Sequence, residues 1–399
     1  MEEIKMKDSG IKWIGQIPEG WNIKRLKYCV NCLDGKRIPI DAGLREEGPY
    51  PYWGAGSIQD YVNNYLFDEE IILLGEDGAP FFDKYRPVSF LVSEKVWVNN
   101  HIHVLKGKKD FFNKFIVYFL NCVDYQEYIN GSVLNKLTQE NMNNIPLIFP
   151  SFDEQQKIAD FLDKKCANID EIISKTEKQI EILEKYKKSL IRETVTKGLN
   201  KNVELKNSGI QWIGNIPKEW DIYNLKHLFR MYAGGDIDEY DFSDSFSQET
   251  PYPIYSNSLE KNGLLGYMSK YRFKGKTFTV TGRGDVGKAI ARNDSYFPVV
   301  RLLVCVPMFG DDTRYFTYCV NSADLFGDQT AMAQLTTQKL GINKFPRPPF
   351  VEQKKIADFL DIECQKINEL TTKQKESLET LKKYKQALIY EYVTGKKRV

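Results

Sequence analysis

The sequence predicts an α+β fold written twice: two tandem, pseudo-symmetric sheet-based modules, each followed by a long helix, with the two helices forming an antiparallel coiled coil. Three observations carry that expectation. Short motifs recur at a fixed offset, the segments after them hold a sustained heptad pattern, and β-branched and aromatic runs separated by turn residues fill the remainder.

The duplication is read first. Residues 9–21, SGIKWIGQIPEGW, return at 208–220 as SGIQWIGNIPKEW, nine of thirteen positions being identical. Residues 154–163, EQQKIADFLD, return at 352–361 as EQKKIADFLD with one change. A third match pairs Leu183, Lys185, Tyr186, Lys187, Leu190 and Ile191 with Leu381, Lys383, Tyr384, Lys385, Leu388 and Ile389. The offset stays at 198 or 199 throughout. Between these anchors, residues 34–135 and 234–335 share only fragments. Two like frames carrying unlike inserts suit one task performed on two different targets.

The first module is expected over 1–150. Runs such as Glu70–Leu74 read as strands, and Phe111–Tyr128 as a helix with Phe115, Phe119 and Leu120 on one face. Asn99–Val104 reads as a strand in which His101 and His103 share a face. A spacer helix follows over 151–200. Leu162, Ile169, Leu183 and Leu190 fall on a seven-residue period with Thr176 between them, and Cys166, Ile173 and Ile180 follow the complementary row. Ser151 with Glu154 fits a capping box, and Gly198 a stop.

The second module, over 201–348, carries strands at Thr277–Val280 and Val299–Val304. The second spacer, over 349–399, repeats the heptad with Leu360, Ile367, Leu381 and Leu388, and with Cys364 and Leu378 on the partner row, and it stops at Gly395. Each helix, about 40 residues or roughly 60 Å, is too long to bury its apolar stripe alone. The other copy is the available partner, and an antiparallel pairing returns Lys396-Lys397-Arg398 toward the first module.

Composition narrows the class of protein. Of 399 residues, 56 are Lys or Arg and 54 Asp or Glu, for a formal net charge of +2. Near-neutrality opposes a protein that coats nucleic acid by itself. Seven scattered cysteines and a charged start suit reduced thiols of a cytoplasmic protein, and no apolar run reaches the roughly 18–20 residues needed to span a bilayer.

Motifs for chemistry are few. Gly282-Arg283-Gly284-Asp285-Val286-Gly287-Lys288-Ala289 satisfies the spacing of a phosphate-binding loop, and a nucleotide-using enzyme is the rival reading. Ala289 stands where a Mg²⁺-binding hydroxyl is needed, and no long amphipathic helix follows to supply an anion-binding N-terminus. A glycine loop that carries Arg283 and Lys288 toward nucleic acid fits better. Cys29 and Cys32 have C-x-x-C spacing, but no second pair completes a zinc site, and the duplicated positions are Leu228 and Met231, as for core thiols. His101 and His103 lack further ligands for a metal. No catalytic constellation is expected.

The Trp-Ile-Gly-x-Ile-Pro-x-x-Trp frame, the Glu-Gln-x-Lys-Ile-Ala-Asp-Phe-Leu-Asp stretch and the Leu-x-Lys-Tyr-Lys stretch together resemble the DNA specificity subunit of type I restriction–modification enzymes. The resemblance covers both copies and their order. It implies two target recognition domains, each reading half of a bipartite, asymmetric site on double-stranded DNA, with the helices fixing the gap. It implies docking of two methylation subunits, with restriction subunits as optional further partners. S-adenosylmethionine, ATP and Mg²⁺ would then belong to those partners, with no cofactor, metal or catalytic residue in this chain. The alternative is a non-catalytic protein-binding scaffold.

Direct readout favours Arg, Lys, Asn, Gln and similar groups at loop and strand tips. The candidates for DNA contact are Lys36, Arg37, Lys84, Arg86 and His101 in the first module. In the second they are Tyr255, Asn257, Arg283, Lys288 and Arg292. Tyr186 and Tyr384, in the shared helix motif, either dock a partner or pack between the two helices.

Overall fold

The computed structural model describes residues 5–130, 135–323, 325 and 334–399. The chain divides into two compact units, Met1–Lys178 with Lys375–Val399, and Gln179–Gln374. Each unit holds one module, half of the first long helix (Phe152–Lys197) and half of the second (Phe350–Val393).

In the first unit the core is a four-stranded antiparallel sheet in the order Val30–Cys32, Ile102–Gly107, Ile71–Gly75, Ser89–Val92. All five residues of Ile71–Gly75 are buried, because both faces of the sheet are covered. Ile72 and Leu74 join the cluster that includes Phe115, Phe119 and Leu120 of the helix Asn113–Leu120. Ile71 and Leu73 instead face Val96, Val98 and Phe67 beside a three-stranded sheet, Ile58–Val62, Glu47–Trp53 and Trp97–Val98. The period of two in side-chain direction thus becomes two apolar layers, and a continuous apolar run is the sequence form it takes.

The second unit repeats this order with Phe229–Ala233, Leu302–Pro307, Thr277–Thr281 and Ala289–Arg292. The helix Thr313–Ser322 takes the place of Asn113–Leu120. A four-stranded sheet covers the other face: Leu264–Met268, Tyr252–Tyr255, Ser295–Pro298 and Phe273–Lys274. Inserts with little common sequence therefore share a topology.

The shared motifs build the joints between module and helix. Within the first unit Gly395 lies at φ 70°, and a Cβ there would meet the Pro18 ring and Trp21. Gly198, at φ 75°, has Trp220 and Glu352 in the matching place within the second unit. Both are left-handed stops for which only glycine is unstrained. The repeated tryptophans are thus receptors for helix ends. The chain's last helix closes on its first module, and Lys396 donates to the carbonyl oxygens of Ile14 and Gln16.

The helices run antiparallel within each unit. In the first, Lys385 meets Asp170 at 2.6 Å and Lys382 meets Glu177 at 3.4 Å, one number falling as the other rises. Leu162, Ile169 and Leu388 are buried there in one core, with Ile173 at its edge. In the second, Lys187 donates to Asn368 at 2.7 Å, and Leu190 packs against the core that contains Leu360. Ile367 is buried, while Ile180, Leu183, Leu378 and Leu381 are half-buried, as a two-helix seam allows. Thr176 turns its hydroxyl to the carbonyl of Ile172, which satisfies it inside an apolar row.

Several expectations are revised. The helix expected to reach Tyr128 ends at Leu120, with Asn121 at its C-cap and the Asn121 side chain bound to the backbone of Val88 and Ser89. The strand expected from Val299 begins at Leu302, since Val299–Arg301 turn, with Arg301 at φ 70°. Asn99–His101 are likewise a turn, so His101 and His103 do not share a face: His101 is exposed and His103 wholly buried. Cys29 is buried, and burial pushes its thiol up to about 11, whereas Cys32 is only half-buried.

Candidate nucleic-acid interface

In the second module the alternation Thr-Phe-Thr-Val-Thr of Thr277–Thr281 sends Phe278 and Val280 into the core. The threonine hydroxyls then serve the opposite side. Thr277 pairs with the hydroxyl of Tyr296 at 2.7 Å, Thr279 accepts from Arg292 Nε at 3.1 Å, and Thr281 accepts the Lys288 N–H at 2.9 Å. Thr281 also donates to the Asp285 carbonyl. The glycine loop is therefore the tight turn of a hairpin, and it leads into the strand Ala289–Arg292. The loop runs into a strand and not into a helix, so it lacks the following helix N-terminus on which a nucleotide phosphate would sit.

Arg283 and Lys288 stand exposed on that turn. Asn257 lies beneath them with both ends of its amide engaged, accepting from the Gly282 N–H at 2.9 Å and donating to the Val300 carbonyl at 3.3 Å. Tyr255 and Arg292 stack, the guanidinium carbon 3.6 Å from the ring centroid, and Tyr255 donates to Asp294 at 2.6 Å. Burial, then the bond to Asp294, pushes the Tyr255 phenol up to about 12. Arg292 is only 4% exposed and its Nη2 has no partner among the described residues. Burial lowers its pKa from the usual value. These two residues line a cavity of about 500 Å³ with Lys261, Asn262, Asn293 and Asp294. Tyr255, Asn257 and Arg292 are thus built into the module, whereas Arg283 and Lys288 are presented.

The first module differs at the corresponding place. Arg37 bonds Glu76 at 2.7 Å and the Ile102 carbonyl at 2.9 Å, and lies 3.4 Å from Asp34. His103 meets Asp34 at 2.6 Å through Nδ1 and the Leu137 carbonyl at 2.9 Å through Nε2. His101 meets Asp77 at 3.1 Å, and Lys136 reaches Glu76 at 3.3 Å and Asp77 at 3.2 Å. Burial alone would raise Asp34, but the His103 hydrogen bond, with the charges of His103 and Arg37 and the Val104 N–H, holds it below its ordinary 3.8. Asp34, Glu76 and His103 have metal-ligand types within 4.8 Å of one another. The Arg37 guanidinium and the Lys136 ammonium already meet those carboxylates, and both imidazole nitrogens are engaged. The cluster is an ion network with no free ligand set.

Lys36 is exposed near this network. Lys84 and Arg86 are exposed on a separate turn, fastened to the second long helix by Tyr85 donating to Glu379 at 2.6 Å. The structure therefore gathers Arg37 and His101 into one network and sets Lys84 and Arg86 apart from it.

Some residues of the joints escaped motif reading. Gln155 is wholly buried; it accepts from Phe112 N–H and donates to the Asp110 and Pro150 carbonyls. Gln353 repeats this, accepting from Asp312 N–H and donating to Asp311 and the Pro348 carbonyl. Asp163 receives Lys114 and Tyr118, and Asp361 receives Arg314 and Tyr318. The signal was present, since each pair stands at an identical position of the repeat. Tyr186 and Tyr384 are 53% and 56% exposed, so neither packs between the helices.

A pair of topologically alike modules with unlike tips, on duplicated helical joints, defines a class of chains built from one unit used twice. The chain belongs to the type I restriction modification DNA specificity domain family, whose model matches residues 18–182 and again 217–380. A Haemophilus influenzae chain provisionally named as a type I restriction enzyme specificity subunit is 27% identical, with 85% of this chain and 86% of the relative covered. A similarly named chain of Methanocaldococcus jannaschii is 25% identical over 97% of this chain and 96% of its own length. A solved structure described under complex assembly and conformational transition of the type I restriction–modification system resembles it in fold. Its TM-score is 0.69 at 14% identity, covering 95% of this chain and 99% of the other. No helix among the described residues is long and apolar enough to cross a membrane.

Proposed function

We propose that this chain is the DNA-reading, non-catalytic subunit of a type I restriction–modification complex. Each module reads one half of a bipartite, asymmetric site, and the paired helices set the gap between the halves. The frame docks two methylation subunits, whose exposed anchors on this chain include Tyr186 and Tyr384. Adenine methylation with S-adenosylmethionine, and ATP- and Mg²⁺-dependent cleavage where restriction subunits join, fall to those partners in the cytoplasm.

The observation that carries this reading is the contrast between frame and tip. Equivalent joints hold core sheets of one topology, yet one tip presents Arg283 and Lys288 while the other ties Arg37, His101, His103 and Lys136 to carboxylates. A symmetric scaffold would need no such difference; a reader of two unlike half-sites does. Direct contacts are assigned to Arg283 and Lys288, and in the first module to Lys36, Lys84, Arg86, Arg37 and His101, the last two through their exposed edges. Tyr255, Asn257 and Arg292 shape the second tip from beneath.

The test is co-expression with the cognate methylation subunit and mapping of modified adenines across a genome. A gapped, asymmetric motif is expected, and replacing residues 234–335 should change one half of it alone. Complexes that assemble yet modify no defined sequence would favour a protein-binding scaffold instead.

A further inference from the structure

The turn that delays the strand at Leu302 carries one of the exposed left-handed residues of the second module, which also has Lys261, Asn262 and Lys276 in that region. Arg301 is exposed and sits at φ 70°, a region that L side chains other than Asn and Asp rarely enter. Among the described residues no carboxylate, carbonyl or ring engages its guanidinium. The backbone is held in that conformation while the exposed side chain engages nothing internal, a combination that points to function.

Its place is fixed by its neighbours. A Cβ on Gly282 would lie 2.3 Å from the Arg301 carbonyl, so the two turns touch backbone to backbone. The Asn257 amide ties them together, one end on Gly282 and the other on Val300. Arg301 therefore stands beside the turn that carries Arg283 and Lys288, on a surface whose exposed carboxylate is Asp285 alone among residues 281–288.

We infer that Arg301 is a DNA-contacting residue that joins Arg283 and Lys288 in a cationic grip on backbone phosphates, with Asn257 as its positioning residue, and that the first module lacks this grip. In the first module the matching turn ends at His101, and the cations of the network beside it are already paired, with Lys36 exposed next to them. Arg37 lies on Asp34 and Glu76, Lys136 on Glu76 and Asp77, and His101 on Asp77. The clustered phosphate grip then resides in the second module, since in the first the exposed Lys84 and Arg86 lie apart from Lys36. Phosphate contacts position a protein and carry no sequence information, so this grip anchors the complex while base edges are compared.

The inference rests on the DNA-reading function, and the experiment separates the two. The full complex is titrated with a duplex carrying its mapped site, over a series of salt concentrations. Preference for no duplex by the unaltered complex would sink the functional reading itself. Given that preference, R301G is the decisive variant, because glycine accepts the left-handed backbone and removes only the cation. Expected are an unchanged or raised Tm, an affinity loss of roughly three- to tenfold on every sequence, and a salt slope smaller by about one. R301K should restore most of the slope, and N257A should add little in the R301G background. Duplexes cut to the second half-site should show the steeper salt dependence. Unchanged binding by R301G, a Tm that falls with it, or an R301K complex as weak as R301G would each overturn the assignment.

Discussion

Tyr390 donates its hydroxyl to the backbone carbonyl of Trp13 at 3.0 Å, across 377 residues of sequence. This contact, with Lys396 on Ile14 and Gln16 and with Gly395 against Trp21, closes the second long helix onto the first module. Leu388 and Val393 lie in the first module's own core.

Removing residues 388–399 should therefore destabilise the module at the other end of the sequence. Two buried apolar side chains, each worth about 1.5–3 kcal/mol, are lost together with the hydrogen bonds. Protease mapping should show cleavage advancing first within residues 5–150, while residues 205–347 stay resistant. Equal loss of both modules would contradict the assignment of this helix end to the first unit.

Gln155 and Gln353 each satisfy three polar groups at the start of a long helix. Leucine at either position strands buried N–H and C=O groups, at a cost of about 1–3 kcal/mol per group left unpaired. Chemical denaturation of Gln155→Leu should show the first unit melting earlier, and Gln353→Leu the second. Indistinguishable curves would count against separate units.

Leu162 and Leu360 occupy equivalent, wholly buried positions where a long helix meets its module. Each change to alanine should cost about 2–5 kcal/mol. The two sites belong to different cores, so the double variant should lose the sum within about 0.5 kcal/mol. Strong non-additivity in calorimetry would mean that the cores are one.

Asp34 and Asp77 give the first tip an acid sensitivity. Burial opposes ionisation of each, but hydrogen bonds and charge from His103 and Arg37 for Asp34, and from His101 and Lys136 for Asp77, win. A carboxylate with a folded pKa below its unfolded value stabilises the fold above the unfolded value, near 3.8, and that contribution is lost as pH falls through the folded one. Stability of the first unit should thus decline below about pH 4. Asp34→Asn should be less stable at neutral pH and flatter over that acid range. An unaltered acid limb would remove Asp34 from the network.

Much of this architecture was legible in the residues. The repeat located both frames, the heptads located both helices, and glycines 198 and 395 marked their ends, because these signals are local and periodic. The tips were read less well. Alternation over Asn99–Val104 predicts a strand with His101 and His103 on one face, but Asn99 accepts the His101 N–H and bends the chain before the strand begins. Arg301 was missed because a left-handed backbone at an arginine leaves no mark in sequence.

By itself the sequence determined that one unit is used twice, that its helices must find each other, and that the inserts differ, since periodicity and identity are properties of the chain. Only the tertiary structure decided which cations face outward. Arg37, Asn257 and Arg292 look like freely presented readers in one dimension, yet residues distant in sequence engage most of the polar groups of the first two and bury the third. Side-chain availability depends on what the rest of the fold brings within about 3 Å, and spacing along the chain does not record that.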